Sequence, residues 1–279
     1  MSVRIFAPAK INLTLEVGAP RADGRHPLQS VVVFADVGDW VEAEAAETLS
    51  LSLSGPFASA LEGEDNLVLR AARALRVDAA LHLEKQLPIA SGIGGGSSDA
   101  AAALRALRAL YGLEFNDDEL AGLARELGAD VPACVGAHSA WMTGTGEEFA
   151  PLNAPQLEAV LINPLKSLST AEVYRQFDRM GLGQTFVPRA APAWFDTQAA
   201  IADIKAVGNQ LAAPAQALMP ELVHIEATLS ADSRVLHVQM SGSGATLFAL
   251  TANREDAQSL ARDLTAREPD WWVRATRLG

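Results

Sequence analysis

A glycine-rich segment near the middle of the chain constrains the fold more than any other feature. Four of the five positions from 92 to 96 are glycine, and an alanine- and leucine-rich run follows. Glycine adopts positive φ at little cost and lets the backbone approach a neighbour or a ligand closely. Ser97 and Ser98 are of the type preferred at a helix N-cap, and alanine is the strongest helix former. The segment therefore predicts a loop that enters a helix at its two serines.

Two interpretations of this loop are open. A helix start offers N–H groups without intrahelical partners and the positive end of the helix dipole, which together bind phosphate. A tight turn between a strand and a helix is the alternative. No Gly-Lys-Ser/Thr follows, so the segment is not a Walker loop. It is not the dinucleotide fingerprint either, because Ser97 stands where that motif has a third glycine or an alanine. We favour the phosphate loop because a turn rarely needs four glycines.

The N-terminal segment alternates in polarity, which predicts a β-strand over residues 10–17. Lys10 and Asn12 share its polar face and Ile11 lies on its apolar face. Lys10 can be a point charge for a phosphate or a carboxylate. It can equally be a solvated lysine that protects an edge strand from aggregation. The strand pattern alone leaves both interpretations open.

Two further sites carry the same ambiguity. Asp130 follows a predicted helix and precedes an apolar stretch, so it can accept a proton from a substrate hydroxyl or cap a turn. Residues 241–245, Ser-Gly-Ser-Gly-Ala, lie between two strand-like runs. They can form a plain hairpin turn or a second nest of anion-binding amides.

Composition limits the classes of partner. Hydrophobic residues make up 49% of the 279 residues, enough for a packed core, and the formal net charge is −12. So acidic a chain is a poor binder of nucleic acid or of an anionic membrane. Cys134 is the single cysteine, the histidines lack metal-ligand spacing, and neither a signal peptide nor a membrane span is evident. We expect a soluble cytoplasmic protein, a monomer or weak homodimer, with no membrane or nucleic-acid partner.

Strands and helices are both predicted along the chain. Strands are predicted over residues 30–37, 49–54, 81–86, 157–164, 235–240, 244–250 and 271–276, and helices over 64–77, from the glycine loop to about 113, 116–127, 170–180, 253–266 and within 197–230. The chain ends as β-β-α-β. Pro151 and Pro155 bracket a short linker, which predicts one domain over 1–153 and another over 154–279.

Three segments together resemble the motifs of the GHMP kinase superfamily: residues 8–17, 87–104 and 240–248. The combination with residues 23–26 and 128–132 resembles the branch that phosphorylates a cytidine diphosphate derivative of methylerythritol in non-mevalonate isoprenoid biosynthesis. The resemblance implies an ATP-dependent phosphotransferase with an alcohol acceptor and with Mg²⁺ carried by the nucleotide. It also implies an α+β fold of two domains, the first like ribosomal protein S5 domain 2 and the second ferredoxin-like.

The same resemblance implies the roles of individual residues. Lys10 and Asp130 match the catalytic pair of the superfamily. The residues that match its ATP-phosphate loop are Pro88, Ile89, Ala90, Ser91, Gly92, Ile93, Gly94, Gly95, Gly96, Ser97 and Ser98. The residues placed on the side of the small-molecule substrate are Asn12, Arg25, His26, Thr170, Tyr174, Gly242 and Ser243.

One departure from the family pattern affects the residue that the pattern places against the cytosine base. Arg25 stands where the branch usually has a tyrosine that can stack on cytosine, and an arginine plane can also stack on a base. Ile93 replaces the usual leucine, which nearly conserves volume.

Two alternatives to the main interpretation are another kinase of the fold, such as a mevalonate or homoserine kinase, and a non-catalytic metabolite sensor.

Overall fold

A computed structural model describes residues 2–61 and 66–279; the start of the helix predicted at 64–77 lies outside these ranges. The strands there are β1 (Ser2–Asn12), β2 (Glu16–Val17), β3 (Leu28–Ala45), β4 (Ser50–Ser54), β5 (Ala79–Glu84), β6 (Ala140–Thr143), β7 (Glu148–Pro151), β8 (Leu157–Asn163), β9 (Val235–Met240), β10 (Leu247–Thr251) and β11 (Trp272–Leu278). The α-helices are α1 (Leu67–Leu75), α2 (Gly95–Tyr111), α3 (Asp117–Ala124), α4 (Val131–Gly136), α5 (Thr170–Arg179), α6 (Thr197–Val207), α7 (Ala212–Leu218), α8 (Glu221–Ser230) and α9 (Arg254–Arg267).

The chain forms two compact units that interleave in sequence. The first contains the described residues up to 10, from 37 to 89 and from 94 to 138. The second contains residues 11–36, 90–93 and 139–279. The compact units are built from segments that alternate along the chain, so they do not test a division of the sequence into consecutive domains. The predicted domains 1–153 and 154–279 therefore stay a prediction.

In the first unit, β5 pairs with β4 in parallel and with the second half of β3 antiparallel. Helix α2 packs against α1 and α4. Its residues 100–103 are four consecutive alanines, all fully buried. Small side chains on every face let neighbouring helices approach α2 closely, so this helix forms the centre of the unit's core.

In the second unit, four antiparallel strands lie in the order β11-β8-β10-β9. Helix α5 follows β8, and α9 lies between β10 and β11 in the chain and packs on β8 and β11. This is the β-α-β-β-α-β connectivity of a ferredoxin-like domain, with extra helices inserted before β9. The predicted β-β-α-β ending is confirmed.

The strand predicted over residues 10–17 is wrong in its bounds. Strand β1 runs from residue 2 to 12 and β2 is a separate pair of residues. Between them the Thr14 hydroxyl accepts the Val31 N–H (3.0 Å), and the Ser30 hydroxyl donates to the Thr14 carbonyl oxygen (2.5 Å). Side-chain hydrogen bonds thus replace part of the ladder and interrupt the strand.

No helix in the described ranges is long and apolar enough to cross a bilayer.

Candidate active site

Lys10 and Asp130 form an ion pair in the first unit. The Lys10 Nζ lies 2.8 Å from the Asp130 Oδ1, although 120 residues separate them in sequence. The Lys10 side chain is 4% exposed and the Asp130 side chain is 42% exposed. A buried ammonium is costly without a partner, and this carboxylate supplies one while one of its edges faces solvent. The pair excludes the solvated-lysine interpretation of Lys10.

Asp130 directly precedes α4, yet its side chain makes no capping hydrogen bond to that helix. The capping interpretation is therefore wrong. Pro132 lies in the first turn of α4, where its missing N–H costs no hydrogen bond. The short helix thus begins at Val131 and leaves the Asp130 carboxylate available for Lys10.

The start of α2 lies against Lys10. Gly94 is the N-cap, with φ of +63°, and a Cβ added there would lie 3.0 Å from the Lys10 Cβ. Glycine therefore permits both the backbone conformation and the close approach. The first N–H groups of a helix have no intrahelical acceptor and lie at the positive end of the dipole. The positive end of the helix dipole therefore lies beside the Lys10–Asp130 pair.

The two serines do not cap α2 as predicted. Because Gly94 adopts the left-handed conformation, the helix begins at Gly95. Ser97 and Ser98 are then its third and fourth residues, and Ser97 is half-buried. The Ser98 hydroxyl is buried without a hydrogen-bond partner among the described residues.

The middle of the glycine loop, residues 90–93, belongs to the second unit and packs against residues 241–246. The Ser91 carbonyl oxygen accepts the Thr246 hydroxyl (2.7 Å) and the Thr246 N–H (3.1 Å). Gly92 has φ of +75°, and a Cβ there would lie 2.4 Å from the Gly244 carbonyl oxygen. Only glycine fits at position 92 without displacing that backbone.

The 241–246 loop connects the antiparallel strands β9 and β10, so the hairpin interpretation describes its topology correctly. The Asn209 side chain stabilises this loop, because its Nδ2 donates hydrogen bonds to the carbonyl oxygens of Met240 (2.7 Å) and Gly242 (2.8 Å). The Ser241 hydroxyl accepts the Asn12 N–H (3.1 Å). That this loop also binds an anion stays a prediction.

Two of the predicted substrate residues meet at this loop. The hydroxyls of Thr170 and Ser243 are 2.8 Å apart. Asn12 is buried, and its Nδ2 donates to the Ser30 hydroxyl (2.7 Å). A Cβ on Gly242 would lie 3.4 Å from the Asn12 Oδ1. The second unit therefore places Asn12, Thr170, Gly242 and Ser243 on or beside the same loop.

His26 and Tyr174 form a second group in the same unit. Their ring centroids are 4.9 Å apart, and the His26 Nε2 lies 2.8 Å from the Asp178 Oδ1. The Phe177 ring packs edge-on at 5.8 Å. Arg25 is exposed. The sequence did not point to Asp178, although it lies four residues after Tyr174 and hence one turn along the same helix.

The sequence also did not point to a buried group of charges in the first unit. The Lys85 Nζ donates to the Asp39 Oδ2 (2.5 Å) and to the Asp99 Oδ2 (2.8 Å). All three side chains are at most 3% exposed. The available signal was that Lys85 is one of four lysines and lies three residues before Pro88.

Cys134 is buried, and burial raises the pKa of its thiol to about 12. The thiol is therefore an inert part of the core. In residues 2–61 and 66–279, no three side chains of His, Cys, Asp or Glu are arranged to hold a metal ion.

Family models match both halves of the chain. The model described as the GHMP kinases N terminal domain matches residues 66–137, and that described as GHMP kinases C terminal matches residues 197–270. The chain therefore belongs to the GHMP kinases, which use ATP. The predicted two-domain α+β fold of that superfamily is confirmed.

Relatives define the branch. A 4-diphosphocytidyl-2-C-methyl-D-erythritol kinase of Parvibaculum lavamentivorans is 47% identical over 98% of this chain and 97% of its own length. One from Caulobacter vibrioides is 43% identical over 100% of both chains. A crystal structure of 4-(cytidine 5'-diphospho)-2C-methyl-D-erythritol kinase superposes with a TM-score of 0.81 at 33% identity, covering 99% of both chains. Within the superfamily, the chain is a member of the 4-diphosphocytidyl-2-C-methyl-D-erythritol kinase family.

More distant structures share the fold alone. A homoserine kinase from Cytophaga hutchinsonii has a TM-score of 0.65 at 16% identity, and the L. major mevalonate kinase has one of 0.69 at 17% identity.

Proposed function

We propose that this chain transfers the γ-phosphate of ATP to the 2-hydroxyl of 4-(cytidine 5'-diphospho)-2-C-methyl-D-erythritol. The observation that carries the proposal is the Lys10–Asp130 ion pair beside the start of α2. The names of the full-length relatives support the choice of acceptor.

The nucleotide phosphates bind the amides of residues 92–98 in this proposal, within the loop formed by residues 88–98. Support comes from the left-handed glycines 92 and 94 and from the helix that begins at Gly95. Amides at a helix start bind anions without a charged side chain, and the Lys10 ammonium lies close to Gly94 at that start. These local features oppose the repulsion expected from the net charge of −12.

The Asp130 carboxylate orients the acceptor hydroxyl and takes its proton. As the hydroxyl oxygen bonds to the γ-phosphorus, the bond to the bridging oxygen breaks and ADP leaves with that electron pair. Lys10 holds the Asp130 carboxylate in place through their ion pair and neutralises charge on the transferred group. Phosphoryl transfer needs little from a protein beyond positioning and electrostatic stabilisation, which this pair can supply.

Mg²⁺ enters with the nucleotide in this proposal and supplies charge neutralisation at the β and γ phosphates. The half-buried hydroxyl of Ser97, in the first turn of α2, is an oxygen of the kind that Mg²⁺ accepts. Phosphate oxygens would provide the other ligands.

The second unit recognises the acceptor. His26, Tyr174 and the exposed Arg25 offer an aromatic face, a ring nitrogen and a guanidinium plane for cytosine. Asn12, Thr170, Gly242 and Ser243 offer hydrogen-bonding groups for the diphosphate and sugar alcohol. We further propose a cytoplasmic location, and a monomer or weak homodimer.

The test measures ADP release from ATP with three acceptors: the cytidine diphosphate derivative, mevalonate and homoserine. We expect turnover with the first alone, and a new phosphomonoester on its O2 in the ³¹P NMR spectrum. Faster turnover with mevalonate or homoserine would assign another kinase activity. Tight binding of the cytidine compound without turnover would instead favour a sensor.

A further inference from the structure

A buried cluster of charged side chains lies where the chain enters and leaves the glycine-rich loop. Lys85 follows the last residue of β5, Asp39 lies in β3, and Asp99 is the fifth residue of α2. The Lys85 ammonium lies between the two carboxylates, at 2.5 Å and 2.8 Å. The cluster therefore joins the strand that enters the loop to the helix that leaves it.

The Asp39 carboxylate also fixes the two residues that lead into the loop. Its Oδ1 accepts the backbone N–H of Gln86 (2.5 Å) and that of Leu87 (2.8 Å). Its Oδ2 accepts the Lys85 ammonium. Both oxygens are thus used inside the protein, and the direction of the chain into the loop depends on this side chain.

The Lys85 ammonium lies beneath the first residue of α2. A Cβ built on Gly95 would come within 3.0 Å of the Lys85 Nζ and within 3.8 Å of the Asp39 Oδ2. Any other residue at position 95 would displace one of these groups. The cluster's charge therefore acts at short range, in a poorly hydrated site, on the same helix start to which phosphate binding is assigned.

We propose that Lys85, Asp39 and Asp99 form a positioning cluster that holds both ends of the glycine-rich loop and sets its affinity for the phosphates of ATP. The inference rests on the proposed function in placing the phosphates at this loop. None of the three touches the nucleotide in this proposal; they act through the backbone and through their summed charge.

The charges in the cluster support this role. Burial alone would lower the pKa of Lys85, but the two neighbouring carboxylates outweigh it and raise that pKa. The Lys85 ammonium therefore stays charged and keeps its contacts with both carboxylates.

The first test compares Lys85→Met with Glu84→Gln in the full-length protein. Glu84 is the neighbouring residue, and its partner Arg4 lies in a partly exposed ion pair. We expect the KM for ATP to rise about tenfold or more in Lys85→Met, from an unpaired buried charge and a loosened loop. The KM for the cytidine acceptor should stay within about twofold, and Glu84→Gln should change neither constant.

The second test uses Asp39→Asn, a nearly isosteric change. The asparagine oxygen can still accept the N–H groups of Gln86 and Leu87, but its NH₂ group then faces the Lys85 ammonium in place of an oxygen. The KM for ATP should rise about fivefold or more while the KM for the cytidine acceptor stays within about twofold. Equal rises in both constants would indicate a purely structural role. This variant decides the matter if Lys85→Met does not fold, as judged by its melting temperature.

The outcomes separate this inference from the proposed function. A wild-type protein that transfers no phosphate to the cytidine acceptor contradicts the proposed function, and equilibrium dialysis of ATP with the wild type and the two cluster variants then tests the cluster instead. An unchanged KM for ATP in a folded Asp39→Asn variant overturns the inference. So does an unchanged KM for ATP in a folded Lys85→Met variant of an active enzyme.

Discussion

Arg25 stands where the family pattern described in the sequence analysis has a tyrosine. The side chain is exposed, and the adjacent His26 packs against Tyr174. A planar guanidinium can stack on cytosine as an aromatic ring does. We therefore expect Arg25 to contribute to the affinity for the cytidine acceptor and not to the transfer step.

This prediction is tested with Arg25→Ala. The KM for the cytidine acceptor should rise about tenfold, as expected for loss of one stacking contact of about 1–3 kcal/mol. The kcat should be nearly unchanged, and Arg25→Tyr should restore the low KM. Arg21→Ala, in the same exposed loop, is the matched control. An unchanged KM in Arg25→Ala would show that the guanidinium does not contact the base.

Single residues show how far the sequence could be interpreted. Lys10 and Asp130 could be paired only through the family motifs, because 120 residues separate them. The burial of Lys10 was not predictable from alternation, since Asn12 and Thr14 on the same polar face are buried as well. The cluster was missed because no local sequence pattern relates Asp39 in β3 to Lys85 after β5 and to Asp99 in α2.

At the scale of a single structural element, the main prediction concerns the glycine-rich loop. Gly92 and Gly112 both have positive φ, but a Cβ on Gly112 would meet nothing within 4 Å, whereas one on Gly92 would meet the Gly244 carbonyl oxygen at 2.4 Å. Gly112→Ala should lower the free energy of unfolding by about 1 kcal/mol, the cost of the left-handed conformation alone. Gly92→Ala should cost about 2–4 kcal/mol, because the backbone must also move.

Urea unfolding of the two variants measures this difference, and ADP release measures its effect on the loop. Gly92→Ala should also lose most phosphoryl transfer, while Gly112→Ala should keep it. Equal losses of stability in the two variants would mean that the contact with Gly244 does not constrain the loop.

Elements with a clear period were predicted well, and those fixed by tertiary contacts were not. Strand β9 coincides with the predicted residues 235–240. The short helix α4 was not predicted because Pro132 and Gly136 look like helix breakers, although a proline is favourable in a first turn. Strands β6 and β7 are four residues each and were too short for a periodic signal.

At the scale of the whole molecule, Asp99 makes stability depend on pH. Its pKa is about 8 in the folded chain, against an ordinary value of 3.8 for an aspartate exposed to water. The folded state therefore binds more protons than the unfolded state between these values, so stability is lost as the pH rises from about 4 to about 8. Below about pH 4 both states are protonated and the contribution is fully present.

Asp99→Asn should remove this dependence. The melting temperature of the variant minus that of the wild type should increase between about pH 5 and about pH 8 and then level off. Asp270→Asn, at an exposed turn, corrects for general effects of charge. A difference independent of pH would mean that Asp99 is ionised in the folded protein throughout this range.

The order of the motifs along the chain indicated the two-domain class, but the interleaved units could not be derived from composition. Linker signals such as Pro151 and Pro155 mark where a chain turns, while compactness depends on which distant segments pack together. Residues 90–93 illustrate the point, because four residues of the glycine loop pack with the 241–246 loop.

The most direct test of the account is single-turnover phosphoryl transfer by Lys10→Met and Asp130→Asn, with ATP binding measured on the same samples. Lys10→Met leaves only the partly exposed Asp130 carboxylate without its partner, and the asparagine of Asp130→Asn still accepts the Lys10 hydrogen bond. Lys166→Met, in the exposed pair with Glu221, is the control. We expect transfer to fall roughly a hundredfold to ten-thousandfold in both variants while both stay folded. ATP binding should be retained in Asp130→Asn and should weaken in Lys10→Met, because the unpaired Asp130 carboxylate then repels the phosphates. Wild-type transfer in both folded variants would contradict the assignment of this pair as the catalytic centre.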